Sequence, residues 1–250
     1  MKSIVTIFRK ELKSYFASPI AFIILFVFLI ISGIFFFLYL ESFAQSQFDS
    51  RLQFVEEVIS LNEFVIRPFF GTISVVLLLL IPLITMRLIA DERKSFTSEL
   101  LFTSPIRITS IIIGKYLSSL LLFALMIILS AVYMLVLIKY GNPDLGPIFS
   151  GYLGLFLMGG SFLAVGLFAS SLTENQMIAA VVSFGILLVF WIMGATSNAG
   201  DSIFGYLSMI NHFESFAKGV IEVKDIIYYL SFIFLGLFLA YIMLDSERWK

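Results

Sequence analysis

The chain alternates between long uncharged apolar runs and short polar segments. Crossing the hydrocarbon core of a bilayer takes about 20 apolar residues in a helix. Six largely apolar segments approach or exceed that length, at residues 19–40, 68–88, 108–138, 147–171, 176–197 and 226–244. The pattern predicts an all-α integral membrane fold with six transmembrane helices in a single domain, 1–250. Lys115 interrupts the third run, and we expect its long side chain to extend to the membrane surface.

Residues 1–18 have a different pattern, with apolar side chains at helical spacing and basic ones largely on the other side. The apolar stripe consists of Ile4, Phe8, Leu12, Tyr15 and Phe16, and the basic side of Lys2, Arg9, Lys10 and Lys13. This arrangement is typical of an amphipathic helix that lies in the membrane interface. Helical spacing also continues after the first run, so residues 41–67 either extend that helix or lie flat on the outer surface. Residues 201–225 mix apolar pairs with isolated charges, and we expect short helices there that dip into the outer leaflet.

Composition supports a membrane location and excludes several classes of function. Only 13% of the 250 residues are charged, whereas soluble domains have about 25%. The net charge of −1 gives no support for nucleic-acid binding. The chain has no cysteine and one histidine, His212, so a cysteine or multi-histidine metal site is excluded. We expect His212 to be a hydrogen-bonded polar residue, with a ligand role as the alternative.

The distribution of lysine and arginine predicts the topology. If both termini are cytoplasmic, 11 of the 16 basic residues lie on the cytoplasmic side and 5 on the outer side. This bias follows the positive-inside rule.

Motifs for nucleotide binding and catalysis are absent from the sequence. There is no GxxxxGK[ST] phosphate-binding loop, no HExxH and no Ser/His/Asp set. The chain is therefore not expected to be an enzyme or to bind a cofactor itself. The middles of the predicted spans carry no charges, unlike many ion-coupled transporters. If the chain does work, we expect the energy to come from another protein.

The segment Arg87 to Arg107 is a dense polar island between two apolar runs. A short helix beginning near Thr97 or Ser98 would present Leu100 and Leu101 as an apolar tip, and Pro105 would end it. Such a helix suits contact with a soluble partner. The alternative is an ordinary positive-inside loop with no partner.

This segment, DERKSFTSELLFTSPIR, resembles the first cytoplasmic loop of ABC-2 type transporter permeases. The matching residues are Glu92, Arg93, Thr97, Glu99, Leu100, Leu101 and Pro105. A second stretch, YLSMINHFESFAKGVIEVKDIIYYLS, resembles the gliding-motility-associated (GldF-type) permease. One departure is Phe96, where the family usually has glycine.

The resemblance implies an N-terminal elbow helix, which contains Phe8, Leu12 and Phe16, and a short cytoplasmic coupling helix in the loop 91–107. It also implies a cytoplasmic ABC ATPase that binds ATP and Mg²⁺, a second identical or related permease chain, and a location in the bacterial inner membrane. A large extracytoplasmic partner is a further expectation. Span four is rich in glycines expected to pack against a helix or line a path, namely Gly151, Gly154, Gly159, Gly160 and Gly166. Two alternatives stay open, a self-contained channel or secondary transporter and a structural membrane anchor.

Overall fold

The computed structural model describes residues 2–52, 60–94, 107–193 and 203–247, and these residues are almost entirely helical. Within these ranges there are ten α-helices and a π-helical turn, Asn62–Ile66. The α-helices are α1 (Lys2–Ala17), α2 (Pro19–Leu52), α3 (Arg67–Thr85), α4 (Ala90–Lys94), α5 (Ile108–Gly141), α6 (Leu145–Ser171), α7 (Gln176–Ile192), α8 (Ile203–Leu207), α9 (Met209–Ala217) and α10 (Val223–Glu247).

Five stretches are long and apolar enough to cross a membrane. They are Pro19–Phe48, Asn62–Lys94, Ile108–Gly141, Leu145–Ser171 and Val223–Ser246. The helix α7 has 17 described residues, a length of about 25 Å, and the predicted span 176–197 continues outside the described residues. The described residues thus contain five helices that are long and apolar enough to span a membrane, and the sixth span stays a prediction.

Two helices extend further than the apolar runs indicate. The helix α2 continues from Pro19 to Leu52 without a break. Of the two alternatives for residues 41–67, an extension of the first helix is therefore correct for residues 41–52. No proline or glycine lies between Glu41 and Leu52, and so nothing in that stretch stops the helix. Similarly, α10 begins at Val223, three residues before the predicted span.

Local signals explain several helix ends. Asn142, with a φ of 50°, adopts the left-handed conformation that ends α5. Asn175 caps α7, because its side chain accepts a hydrogen bond from the Met177 amide at 2.9 Å. Gly219 has a φ of 90°, a conformation that glycine adopts readily, and it follows α9.

The helix α6 is the centre of the bundle. In the most apolar 18-residue stretch of α6, 78% of the residues are buried, compared with 28% in the corresponding stretch of α10. It packs most extensively against α10 and also against α3, α5, α7 and α9. Its glycines allow these close approaches, since a Cβ added at Gly159 would lie 2.1 Å from Cζ of Phe123.

The bundle has two polar faces, one at each end of the long helices. The first, which we call the α1 face, contains α1, α4, the start of α5, the end of α6 and the start of α7. The second, which we call the opposite face, contains α8, α9 and the start of α10. Polar contacts link the elements of each face, and the apolar lengths of the helices separate the two.

Candidate functional site

A cluster of polar side chains surrounds α4 on the α1 face. We call this cluster the α4 junction. It consists of residues from α1, the turn after α3, α4, α5, α6 and α7, namely Lys10, Glu11, Tyr15, Arg87, Asp91, Glu92, Lys115, Ser170 and Gln176. The junction is a candidate functional site because α4 leads directly into residues 95–106, which contain most of the predicted coupling positions.

Lys115 lies at the centre of the α4 junction. Its ammonium group is 2.9 Å from Oε1 of Glu11 and 2.9 Å from Oε2 of Glu92. It also donates a hydrogen bond of 2.6 Å to the Leu88 carbonyl. The side chain is only 2% exposed. An ammonium has three donors, and here three acceptors from three separate elements receive them.

The ammonium group of Lys115 reaches the polar α1 face but is buried there among its partners, and its position relative to the membrane surface stays a prediction. The side chain points into the protein because carboxylates from α1 and α4 lie within reach of its ammonium group. A buried charge needs such partners, since an isolated ammonium in an apolar interior is strongly destabilising. The apolar pattern around Lys115 could not reveal partners that lie 104 and 23 positions away in the sequence.

Glu92 joins two lysines through its two carboxylate oxygens. One oxygen contacts Lys115, and the other accepts a 3.0 Å hydrogen bond from Lys10 of α1. Partial burial disfavours the charge on Lys10, but the hydrogen bond and the ion pair with Glu92 outweigh that effect and raise the pKa of Lys10. Glu92 thus links α4 to α1 and to α5.

A second set of contacts holds α1 against the end of α3. The Tyr15 hydroxyl donates to the Ile84 carbonyl at 3.4 Å, and this tyrosine is 2% exposed. Burial raises the pKa of Tyr15, so its hydroxyl stays protonated. The Arg87 guanidinium lies 4.9 Å from the centre of the Tyr15 ring, a cation–π geometry. These contacts fix the turn from which α4 begins.

Ser170, at the end of α6, holds that turn from the other side. Its hydroxyl accepts hydrogen bonds from the amides of Ile89 and Ala90 at 3.0 and 3.1 Å. The same hydroxyl donates to the Met86 carbonyl at 2.9 Å. All three contacts are made by a side chain that is completely buried. Ser170 therefore satisfies backbone groups at the start of α4 that would otherwise lack partners.

The last connection of the junction joins α4 to α7. The Gln176 side-chain amide donates a 2.7 Å hydrogen bond to Asp91. The helix α4 is consequently attached to α1, α5, α6 and α7 at once. A displacement of α4 would be transmitted to four elements of the bundle, because charged or buried polar side chains make most of these connections.

A cavity of about 240 Å³ opens within the α4 junction. Its lining includes three cations, Lys10, Arg87 and Lys115, and three anions, Glu11, Asp91 and Glu92. One water molecule occupies about 30 Å³ in the liquid, so the cavity has room for several. Hydration of this kind would reduce the cost of holding six charged groups together.

The predicted coupling residues are only partly within the described chain. Glu92 is a member of the α4 junction, and Arg93 of α4 is buried at 8% exposure. The remaining five lie outside the described residues, namely Thr97, Glu99, Leu100, Leu101 and Pro105. Phe96, where the sequence departs from the family pattern, also lies outside them.

The helix α1 uses two different faces. Ile7, Glu11 and Tyr15 point toward the bundle, whereas the predicted apolar stripe of Phe8, Leu12 and Phe16 is half-buried or exposed. Gly114 of α5 permits the contact, since a Cβ there would lie 2.9 Å from Cγ2 of Ile7. Tyr15, which the predicted stripe also contains, belongs to this packing face, and the face is offset by one position from Phe8, Leu12 and Phe16. The outward stripe remains free for the predicted contact with the membrane surface.

The predicted glycines of α6 make contacts within this chain. Gly151 faces Phe70, Gly154 faces Phe216, Gly159 faces Phe123, Gly160 lies near Tyr116 and Ile233, and Gly166 faces Thr85. Their neighbours belong to α3, α5, α9 and α10. This arrangement favours helix packing over the lining of a path for all five glycines.

Sequence reasoning missed Glu11, Lys115 and Ser170 as members of the site. A signal was present for the two charged residues, because Glu11 is the only acid in a basic helix and Lys115 the only charge in a long apolar run. An acid and a base that are each isolated in this way are candidates for pairing. Ser170 had no comparable signal, since serines are common throughout α6.

The helices and the polar faces define a multi-pass membrane protein with a structured polar junction at one end. Comparison with protein families identifies which class this is: the chain belongs to the ABC-2 family transporter proteins, which it matches over residues 5–244. It is accordingly a transporter's membrane component and a non-catalytic transmembrane subunit, and such permeases generally pair with an ABC ATPase. The comparison with curated proteins found no match.

Proposed function

We propose that this chain couples ATP hydrolysis in a separate ATPase to movement of its own helix bundle, through the segment 91–107 and the α4 junction. The ATPase binds ATP and Mg²⁺, and this chain binds neither. The work performed is export or force transmission at the cell envelope. The observation that carries the proposal is the attachment of α4 to four other helices at the start of the predicted coupling segment.

The first step of the argument concerns stiffness. A helix end held by Lys115 and Ser170 has little freedom to move alone, because both side chains are buried and each makes three polar contacts. A push on residues 95–106 would therefore act on α1, α5, α6 and α7 together. An ordinary loop between two spans needs no such attachment.

The second step concerns orientation. The α1 face carries Lys10, Arg87, Lys94 and Lys115 among its basic residues, and the positive-inside rule favours the cytoplasm for such a face. Both termini then lie on the cytoplasmic side of a bacterial inner membrane. The ATPase and the α4 junction are on the same side in this orientation, as coupling requires.

The third step concerns partners. The exposed large apolar side chains of α2 and α10 are suited to lipid or to a second permease chain. We propose a dimer of identical or related permease chains with two ATPase subunits. The resemblance of residues 206–231 to the gliding-motility-associated permease favours a role in gliding, with a large extracytoplasmic partner as the load.

Copurification tests the coupling segment directly. Leu100→Asp/Leu101→Asp should abolish copurification of the ATPase, because two carboxylates would replace the proposed apolar tip. Leu172→Asp is a matched control, since Leu172 is an exposed leucine in the connection between α6 and α7 on the same face. It should leave copurification and membrane insertion unchanged.

Retention of the ATPase by the double variant would refute the proposed coupling site. Loss of the ATPase in both variants would show instead that any charge on this face disrupts the complex, and would also contradict the assignment to Leu100 and Leu101.

A further inference from the structure

The side chains of His212 and Asp225 meet on the opposite face, away from the α4 junction. The Nδ1 atom of His212 lies 2.6 Å from Oδ1 of Asp225. Its Nε2 atom lies 2.9 Å from the backbone carbonyl oxygen of Tyr206. The carboxylate of Asp225 is completely buried and His212 is 5% exposed. The imidazole therefore connects α8, α9 and α10.

Both ring nitrogens of His212 face hydrogen-bond acceptors. A neutral imidazole has one N–H donor and one nitrogen lone pair, whereas an imidazolium has two donors. An ionised carboxylate and a backbone carbonyl can only accept. If the ring were neutral and Asp225 ionised, one nitrogen lone pair would face an oxygen lone pair. Hydrogen bonds at both ring nitrogens therefore require one proton more than a neutral histidine and an ionised carboxylate carry together.

The surroundings of Asp225 favour the same charge state. Its Oδ2 atom is buried and has no hydrogen-bond partner in the described part of the chain. A buried carboxylate requires a compensating positive charge. Among the described residues, His212 is the group within ion-pair distance of it. The Tyr228 ring also stacks on the imidazole, with 3.9 Å between ring centres, and an aromatic face attracts a cation.

The other titratable groups on the packed elements are engaged elsewhere. On α9 itself Glu214 pairs with Lys218 and with Arg67, the only charged residue of α3. The hydrogen bond from Lys218 lowers the pKa of Glu214, and the charges of Lys218 and Arg67 lower it further. Together they outweigh partial burial, which acts in the opposite direction.

On α10, Lys224 pairs with Glu222, and the Tyr229 hydroxyl donates to the Met209 carbonyl. The Tyr228 hydroxyl donates to the Leu207 carbonyl. The Tyr206 ring of α8 stands edge-on to the imidazole. The helix α6 has Tyr152 as its one titratable residue, with its ring against Phe70, and α7 has none.

We propose that His212 and Asp225 form a proton-binding site that holds α8 and α9 against the start of α10. With the proton bound, the imidazolium donates to both Asp225 and the Tyr206 carbonyl. When the pH rises and the proton leaves, one of these hydrogen bonds is lost and the buried carboxylate loses its counter-charge. The segment α8–α9 then separates from α10. The site thereby responds to the pH of the medium on the opposite face.

The single histidine makes the protonation state directly measurable. In the chain of residues 1–250, labelled with ¹⁵N-histidine and reconstituted in lipid nanodiscs, only the His212 ring contributes imidazole nitrogen signals. We expect both nitrogens to carry protons at pH 6 and one of them to be deprotonated at pH 9. A ring with a single protonated nitrogen at pH 6 would overturn the proposal.

Cysteine labelling measures the movement of the segment. Met209 at the start of α9 is completely buried, whereas Val220 just after α9 is 51% exposed. In this cysteine-free chain, Met209→Cys and Val220→Cys are labelled separately with a membrane-impermeant maleimide. The labelling ratio is the rate at Met209→Cys divided by the rate at Val220→Cys. Taking the ratio cancels the ordinary pH dependence of thiol reactivity. We expect the ratio to rise about tenfold between pH 6 and pH 9, because a hydrogen bond to a charged group is lost.

Two further variants separate the proposed site from its surroundings. Asp225→Asn can donate to Nδ1 and needs no extra proton, so the labelling ratio should no longer depend on pH. Glu214→Gln removes a charge from the same helix but leaves His212 and Asp225 in place, and its pH response should match that of the unmodified chain. An unchanged ratio in the parent, or an equal pH response in Asp225→Asn, would contradict the proposal.

Discussion

Replacement of Lys115 by methionine tests the importance of the α4 junction for the folded state. The substitution keeps most of the apolar side chain but removes three hydrogen-bond donors, to Glu11, Glu92 and Leu88. Loss of one partner from a buried ion pair costs about 3–5 kcal/mol. Glu92 retains Lys10, and both carboxylates keep some exposure, at 13% and 16%. We therefore expect a loss of stability near the lower limit, about 3 kcal/mol.

Lys10→Met is the matched control, because Lys10 contacts the same carboxylate but its side chain is 62% exposed. Exposed ion pairs contribute about 0–1 kcal/mol. The melting temperature of the purified chain in detergent gives the comparison. For a chain of this size 1 kcal/mol corresponds to roughly 2–4 °C, so Lys115→Met should melt roughly 6–12 °C lower. Lys10→Met should melt no more than about 4 °C below the parent.

A double variant sharpens this test. If the loss in Lys115→Met comes from unpaired carboxylates, Glu11→Gln in the same chain should recover part of it, and the two effects should not add. Equal melting temperatures for Lys115→Met and Lys10→Met would refute the reasoning that burial makes Lys115 the principal contact. Simple additivity of the two substitutions would show that the Lys115–Glu11 contact contributes little.

Three further sets of substitutions test packing, the backbone contacts of α4, and topology. Gly159→Ala should destabilise the chain by about 1–3 kcal/mol through overpacking against the neighbouring phenylalanine, whereas Gly185→Ala, which meets nothing within 4 Å, should change the melting temperature little. Ser170→Ala should cost about 1–3 kcal/mol, since it leaves two buried amides without a partner, and a melting temperature equal to the parent's would contradict the role given to this hydroxyl. Single cysteines at Ser95 and Ser46 should react with an impermeant reagent from opposite sides of sealed membranes, and same-side labelling would overturn the topology.

The long helices were predictable because an apolar run long enough to cross a membrane can form few structures other than a transmembrane helix. Their exact ends were less predictable. Residues 41–52 show the reason, since a helix that extends beyond the membrane and a helix that lies on its surface have the same spacing of apolar side chains. The sequence pattern of α6 similarly predicted close helix packing but not the partners. Spacing along one helix identifies a face and not the helix that contacts it.

The α4 junction was only partly predictable. Glu92 and Arg93 were identified from a family resemblance, whereas Lys115, Glu11 and Ser170 emerged from the fold. The contacts of Lys115 and Ser170 join residues that are far apart in sequence. The isolated charges of Glu11 and Lys115 mark them as candidates for pairing but do not identify the partner of either, and Ser170 has no local signal. His212 and Asp225 are only 13 positions apart, but they lie on separate helices and approach because the chain turns at Gly219 and returns to α10. The contribution of Thr97, Glu99 and Pro105 stays a prediction.

The central claim is that the α4 junction transmits movement from the ATPase to the bundle. Spin labels at Tyr140→Cys and Val220→Cys, two exposed positions remote from the junction, report the arrangement of the opposite face in the reconstituted complex with its ATPase. The distance between the labels should change when the ATPase binds a non-hydrolysable ATP analogue. In the Lys115→Met background, at a temperature where that variant is folded and retains the ATPase, the change should be abolished. An equal change of distance with and without Lys115 would contradict the claim.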